Sequence, residues 1–209
     1  LTFTPAKTYE FEENRTQIIL NSLNSIGTCN QPINMRSMTS GVQSRISKSI
    51  GYVTVEYVAL RDMAAQGGAT FTANNSVDIS NNSGWIINTA PPLDLYWVGG
   101  TGNWDDPAHW STSSGGTGGA CIPTVNDNVF FDVNSFTAPA QTVTINASAF
   151  CNNMNWTGAL YTPTLAGTST YSLNIYGSLT LINAMNISLQ SRINFEAVTT
   201  GKTITSAGK

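Results

Sequence analysis

Charge is scarce in this chain. Its 209 residues carry 9 Lys and Arg against 12 Asp and Glu, so 10% are charged, where an ordinary soluble domain carries about 25%. Coiled coils, charge-laced helical bundles and charge-rich disordered tails are excluded on that ground. The net charge is -3 and Lys and Arg are nowhere clustered, so nothing is available to neutralise a phosphate backbone and no nucleic-acid partner is expected. The longest apolar runs, such as Ile18-Ile19-Leu20 and Trp85-Ile86-Ile87, fall far short of the roughly 18 residues that cross a bilayer, and no membrane insertion is expected. Residues 1–20 lack a basic stretch followed by an apolar one, and the chain opens on Leu1; it reads as a piece of something longer, with targeting information elsewhere.

Cysteine and histidine are equally sparse. Cys29, Cys121 and Cys151 are too few for a disulfide scaffold and lack the close spacing of a zinc site. Cys121 with Cys151 is the candidate disulfide; the alternative is that all three are small buried hydrophobes, and the state of Cys29 is left open. Any nucleophile–base–orienter arrangement would have to use the single histidine, His109, and nothing in the sequence supplies it with an orienting partner, so no enzymatic activity is expected.

What the chain has instead is 27 Thr, 22 Asn, 21 Ser and 18 Gly. Between these lie short alternating runs: Tyr52-Val53-Thr54-Val55-Glu56-Tyr57, Gln141-Thr142-Val143-Thr144-Ile145 and Tyr171-Ser172-Leu173-Asn174-Ile175-Tyr176, each the pattern of a half-buried strand. From Val143 onward, strand centres are expected near Val143, Met154, Leu165, Leu173, Leu179, Ile187, Ile193 and Ile204, with turn residues between. No Asn-Gly or Asp-Gly pair separates the runs, which disfavours hairpins and favours parallel coils. Asn, Ser and Thr then end each strand, tolerate left-handed corners and stack on their equivalents one coil away. Residues 58–66 contain acceptable helix formers, but the alternation through Leu60 reads as strand followed by a wide turn.

The clearest boundary is Asn88-Thr89-Ala90-Pro91-Pro92, since paired prolines interrupt any ladder. It divides residues 1–93 from 94–209. Ser111 to Gly119 is nearly pure Ser, Thr and Gly and reads as an exposed loop.

The stretch Trp97-Val98-Gly99-Gly100-Thr101-Gly102-Asn103-Trp104-Asp105-Asp106-Pro107-Ala108-His109-Trp110 resembles the opening of β-helical modules in very large repetitive surface adhesins of Bacteroidetes-type bacteria. Pro123-Thr124-Val125-Asn126-Asp127-Asn128-Val129-Phe130-Phe131-Asp132 resembles their next segment, and Gly51 to Tyr57 through Asn82-Ser83-Gly84-Trp85 resembles their closing segment. The resemblance implies an all-β chain forming a right-handed parallel β-helix, a solenoid of two consecutive modules. Residues 1–93 would be the C-terminal coils of one module and 94–209 the Trp-rich cap and first coils of the next. It also implies an extracellular, outer-membrane-associated adhesin, exported by a type IX system and in some members serving gliding motility.

Trp97, Trp104 and Trp110 are read first as a plug for the open end of a coil; the competing reading is a glycan-binding surface of exposed indole faces. Asp105, Asp127 and Asp132 are the candidate calcium ligands, if the cap folds back on the first coil, against the reading that each serves its own turn. No other cofactor is expected. The expected role is a non-enzymatic rigid stalk or adhesin segment whose partners are adjacent modules of the same chain, surface glycans or other cell-surface proteins. The alternatives are a carbohydrate-binding module or part of a polysaccharide-degrading β-helix enzyme.

Overall fold

A computed structural model describes residues 1–209 as short strands joined by turns. They stack in parallel as a β-solenoid of about nine turns. No helix is long and apolar enough to cross a membrane. The coils fall into two compact units, Leu1–Ala90 and Pro91–Lys209.

Unit 1 places up to three strands in each coil. The first coil holds β1 (Thr2–Phe3), β2 (Thr8–Phe11) and β3 (Thr16–Ile18); the second holds β4 (Asn24–Ser25), β5 (Ile33–Ser37) and β6 (Ser44–Ser47). The third holds β7 (Tyr52–Glu56), β8 (Val58–Arg61) and β9 (Met63–Gln66), the fourth β10 (Thr70–Asn74) and β11 (Val77–Ser80), and β12 (Trp85–Asn88) opens a fifth. Pairing between coils is parallel throughout: β2-β5-β8-β11 form one sheet, β3-β6-β9 a second and β7-β10-β12 a third. Alternation sends every second residue inward, so Ile33 lies over Val58, Met35 over Leu60 and Val53 over Phe71, all buried. A one-residue slip would turn these layers out to water, so the sequence pattern fixes the register. Coil length falls along the unit: Thr16 pairs with Arg45, 29 residues on, Ser44 with Met63, 19 on, and Phe71 with Trp85, 14 on.

Residues 58–66 are strand on both sides of a corner rather than strand and wide turn. Asp62 forms that corner with φ 57, a left-handed conformation that Asp and Asn tolerate through local hydrogen bonds. Its buried carboxylate accepts from Gly41 N–H at 3.1 Å and Asn81 Nδ2 at 2.7 Å, tying three coils together. Asn14, Asn75 and Asn81 take the same conformation at other corners.

Unit 2 begins differently. Its first coil holds β13 (Asp94–Trp97), β14 (Gly102–Asn103), a 3-10 turn at Pro107–His109 and β15 (Trp110–Ser111), which returns antiparallel to β13. The second coil holds β16 (Asn128–Phe130), β17 (Thr142–Ile145) and β18 (Ala149–Cys151), and the third β19 (Met154–Asn155), β20 (Thr164–Gly167) and β21 (Ser172–Ile175). The fourth holds β22 (Leu179–Thr180), β23 (Asn186–Leu189) and β24 (Arg192–Phe195), and β25 (Ile204–Thr205) opens the fifth. The sheets run β15-β13-β16-β19-β22-β25, β14-β17-β20-β23 and β18-β21-β24. Beyond the first coil the repeat is regular: Thr142 pairs with Thr164 and Thr164 with Asn186, 22 residues each time.

Candidate functional site

The residues singled out by sequence converge on the first coil of unit 2. Trp97, Trp104 and Trp110 are all buried, at 0%, 1% and 0% exposure. Trp97 and Trp104 both meet Trp110 edge to face, with centroids 5.1 and 4.9 Å away, the arrangement the ring quadrupoles favour. Trp97 Nε1 donates to Gly100 O at 2.6 Å and Trp110 Nε1 to Trp104 O at 2.8 Å. The cluster continues inward through Phe131, which stacks on Trp156 at 3.8 Å, and through Phe136. No indole face is left for a sugar ring, so the expected glycan surface of Trp97, Trp104 and Trp110 is withdrawn: burial at the coil's end outcompetes display.

His109 belongs to the same plug. Its ring stacks on Trp97 at 4.8 Å and 10°, and Nδ1 lies 2.8 Å from Val98 O. A carbonyl only accepts, so Nδ1 carries the proton. The other edge of the ring lies against Gly102, where any Cβ would strike the imidazole. This explains the glycine and leaves His109 held by packing rather than aimed at a substrate.

The carboxylates serve separate turns. Asp105 accepts from Asn146 Nδ2 at 2.6 Å, and Asp106 caps the 3-10 turn by accepting from Ala108 N–H at 2.9 Å. Asp127 is buried; one oxygen accepts from Leu93 N–H at 2.8 Å, the other from Thr124 N–H at 2.8 Å and Thr124 Oγ1 at 2.6 Å. Asp132 accepts from Asn134 N–H at 2.9 Å. Asp105, Asp127 and Asp132 are not gathered, and no three acidic, histidine or cysteine side chains form a set able to hold a metal ion. The chain folds back through β15 onto β13, and this brings indoles rather than carboxylates to the centre.

The expected Cys121–Cys151 disulfide is not formed. Cys151 is a free, buried thiol on the inward face of β18, over Ile175, while Cys121 lies in the irregular stretch between β15 and β16. Strand alternation turns Cys151 into the core and away from any loop. Burial first, and the nearby Asp127 charge second, push its thiol far above the ordinary range, so it stays protonated and unreactive.

The Asn stacking expected from the sequence takes specific form. Asn128 Oδ1 accepts from Asn152 Nδ2 at 3.0 Å and Asn153 Nδ2 at 2.7 Å, and Asn153 Oδ1 accepts from Ser178 N–H at 2.7 Å. Asn194 Nδ2 donates to Asn174 Oδ1 at 2.9 Å, and Asn88 Nδ2 to Asn74 Oδ1 at 2.9 Å. Each link spans one coil; a search for Asn recurring at the strand-pairing interval would have found it. The Ser111–Gly119 loop is also more than exposed filler: Gly119 N–H donates to Pro107 O at 2.8 Å, and Gly118 packs so closely on Ala108 O that no side chain fits.

Together these features define a β-solenoid with an aromatic plug at the start of its second unit. Comparison with family models, curated proteins and solved structures finds no match to this chain.

Proposed function

We propose that the chain is a non-enzymatic structural segment of a large, repetitive, secreted cell-surface adhesin, a rigid spacer that presents whatever its outer loops and neighbouring modules bind. The observation that carries this reading is how the candidate chemistry is used. His109, Asp105, Asp106, Asp127 and Asp132 each hold a turn or plug in place, and the abundant Asn side chains bridge successive coils. A chain that spends its polar groups on joining coils is built for stiffness along the stacking direction, because each coil depends on its neighbours and load passes through every ladder. The motif at Trp97–Trp110 adds its resemblance to adhesin modules, and with it the proposed surface location, type IX export and gliding-associated role. Adjacent modules of the same chain and surface glycans are the proposed partners.

Single-molecule pulling between the chain's ends tests the mechanical role. Coil-by-coil rupture is expected, in steps of about 5 to 10 nm, which is one coil of 14 to 29 residues extended at roughly 3.4 Å per residue. Collapse of a whole unit in one low-force event would remove the spacer reading. Release of reducing sugar or unsaturated products from polysaccharide would replace it with an enzyme.

A further inference from the structure

Parallel register in unit 1 brings together two charges that the sequence keeps a coil apart. Arg36 on β5 pairs with Arg61 on β8, and Glu10 on β2 pairs with Arg36. Both arginines take outward positions, since Met35 and Leu60, which precede them on their strands, are buried. Two guanidinium side chains therefore leave one sheet face about 4.8 Å apart at their roots, the spacing of neighbouring strands. Like charges at directly paired positions repel. Only 9 of the 209 residues are Lys or Arg, so a crowd of basic residues does not force the pairing.

The two arginines are unequally served. Arg36 directs Nε and Nη2 to a single oxygen of Glu10, at 3.0 and 2.7 Å. Arg61 is left short: its buried Nε has no hydrogen-bond partner, and the carboxylate beside it, through Asp62 Oδ2, stands 3.4 Å away, too far for a good N–H···O bond. Asp62 is not free to come closer, because Gly41 N–H holds that oxygen and Asn81 Nδ2 holds the other. A buried donor without an acceptor is costly and rare in a folded chain. What the pair lacks is an acceptor placed on the outer side of the sheet, within reach of both guanidiniums.

We propose that Arg36 and Arg61 form a binding site for the oxyanion of an acidic glycan, a carboxylate or sulfate ester carried on a sugar and seated across the two strands. Guanidinium suits such a group because its planar fork meets two oxygens at once. Glu10 and Asp62 balance the two positive charges, so the site offers directed donors rather than a broad positive field. Two residues back along the same strands lie Thr8, Asn34 and Ala59, paired in that order. They present a hydroxyl and an amide to sugar hydroxyls, and being small or polar they form no pocket for the large anchor on which peptide recognition depends. The choice of a glycan as carrier rests on the reading of the chain as a cell-surface segment; the pulling test of that reading does not involve the arginine pair, so either can fail alone.

Isothermal titration of the full chain with polygalacturonate, dextran sulfate and neutral dextran tests the site. Binding of polygalacturonate or dextran sulfate is expected, with none of dextran, and the tighter of the two names the group. Arg61→Gln should weaken binding about tenfold, and so should Arg36→Gln, whose side chain is 37% exposed and can be replaced without disturbing the core. Arg61→Lys should not preserve the affinity, because an ammonium keeps the charge but loses the fork. Glu10→Gln should tighten binding severalfold by releasing Arg36, an effect that a purely structural ion pair would not give. Arg192→Gln, outside the pair, should change nothing, and circular dichroism should match the parent for every variant. Failure of both polyanions to bind overturns the proposal, as does binding that Arg36→Gln and Arg192→Gln reduce alike. Polyglutamate bound as tightly as the glycan would assign the site to an acidic peptide, and free sulfate or acetate bound as tightly would assign it to a small anion; either result overturns the glycan.

Discussion

The first and last coils of unit 2 differ in how far their inward side chains are covered. At the start of the unit, β15 folds back antiparallel along β13 and three indoles fill the layer, so Trp97, Trp104 and Trp110 are essentially inaccessible. In the last coils, Ile187, Phe195 and Ile204 occupy inward positions on their strands and are partly exposed. The difference lies in chain reversal rather than in hydrophobicity. Gly99 and Gly100, with φ 79 and 74, reverse the backbone tightly after β13, and the Pro107–His109 turn then delivers Trp110 over the end. No such reversal follows β24. Apolar side chains alone do not make a cap; a backbone that doubles back is needed to place them.

The sharpest way to break that comparison is Trp110→Ala. Trp110 touches Trp97, Trp104 and Phe131 and donates to Trp104 O, so its removal leaves a large cavity with nothing to collapse into it. A loss of about 4 kcal/mol is expected, read as a lowered urea midpoint for the unit 2 transition, with circular dichroism tracking the strands. A loss below about 1 kcal/mol would mean that the indoles decorate an end already closed by β15. A smaller effect is expected for Gly102→Ala, whose Cβ would displace the His109 ring from Trp97. Overpacking of this kind costs about 1 to 3 kcal/mol. Combining it with His109→Ala should restore part of the loss, because the clash then has no second partner; strictly additive losses would show that the close approach is not what Gly102 is for.

The regular part of this molecule was legible and the cap was only half so. All eight strand centres expected between Val143 and Ile204 fall in strands, because β-branched and aliphatic residues at alternating positions admit one register over a buried layer. Residues 58–66 were harder, since Met63, Ala64 and Ala65 have helical propensity. What overrides it is packing of β9 on β6, with Met63 over Ser44 and Ala65 over Ile46, a contact with residues about 19 positions away that no local window contains. The Trp cluster was legible first as a cap by its glycine spacing, with a display of indoles as the competing reading, because burial depends on whether the chain folds back, and β15 is only two residues long. The aspartates were ambiguous for a related reason: a turn-capping Asp and a calcium-binding Asp look alike until the turns are placed in space.

Behind the cap, Cys151 reports how dry the core is. Burial holds its thiol protonated in the native state, whereas in the unfolded chain it ionises near the ordinary value of 9.0. Unfolding above that pH therefore releases a proton. The stabilisation from this group is fully present below pH 9 and declines as pH rises further, by about 1.4 kcal/mol per pH unit. Urea midpoints measured between pH 8 and pH 10.5 should fall more steeply for the parent than for Cys151→Ala. Parallel slopes would mean that water reaches the second coil and that the cap seals less than its burial implies.

The smallest effect belongs to the last coils, and it is the other half of the comparison. Ile187→Asn removes an apolar side chain that is already 37% exposed and has a neighbour on one side only, Leu165 of β20. Much of its surface stays in water after folding, so little transfer energy is lost, and no closed cavity forms. The loss should stay within about 1 kcal/mol, against several for the same kind of truncation one coil earlier at Leu165. Equal losses at the two positions would show that the last coil is as well packed as the interior, and the contrast between the first coil and the last would have to be given up.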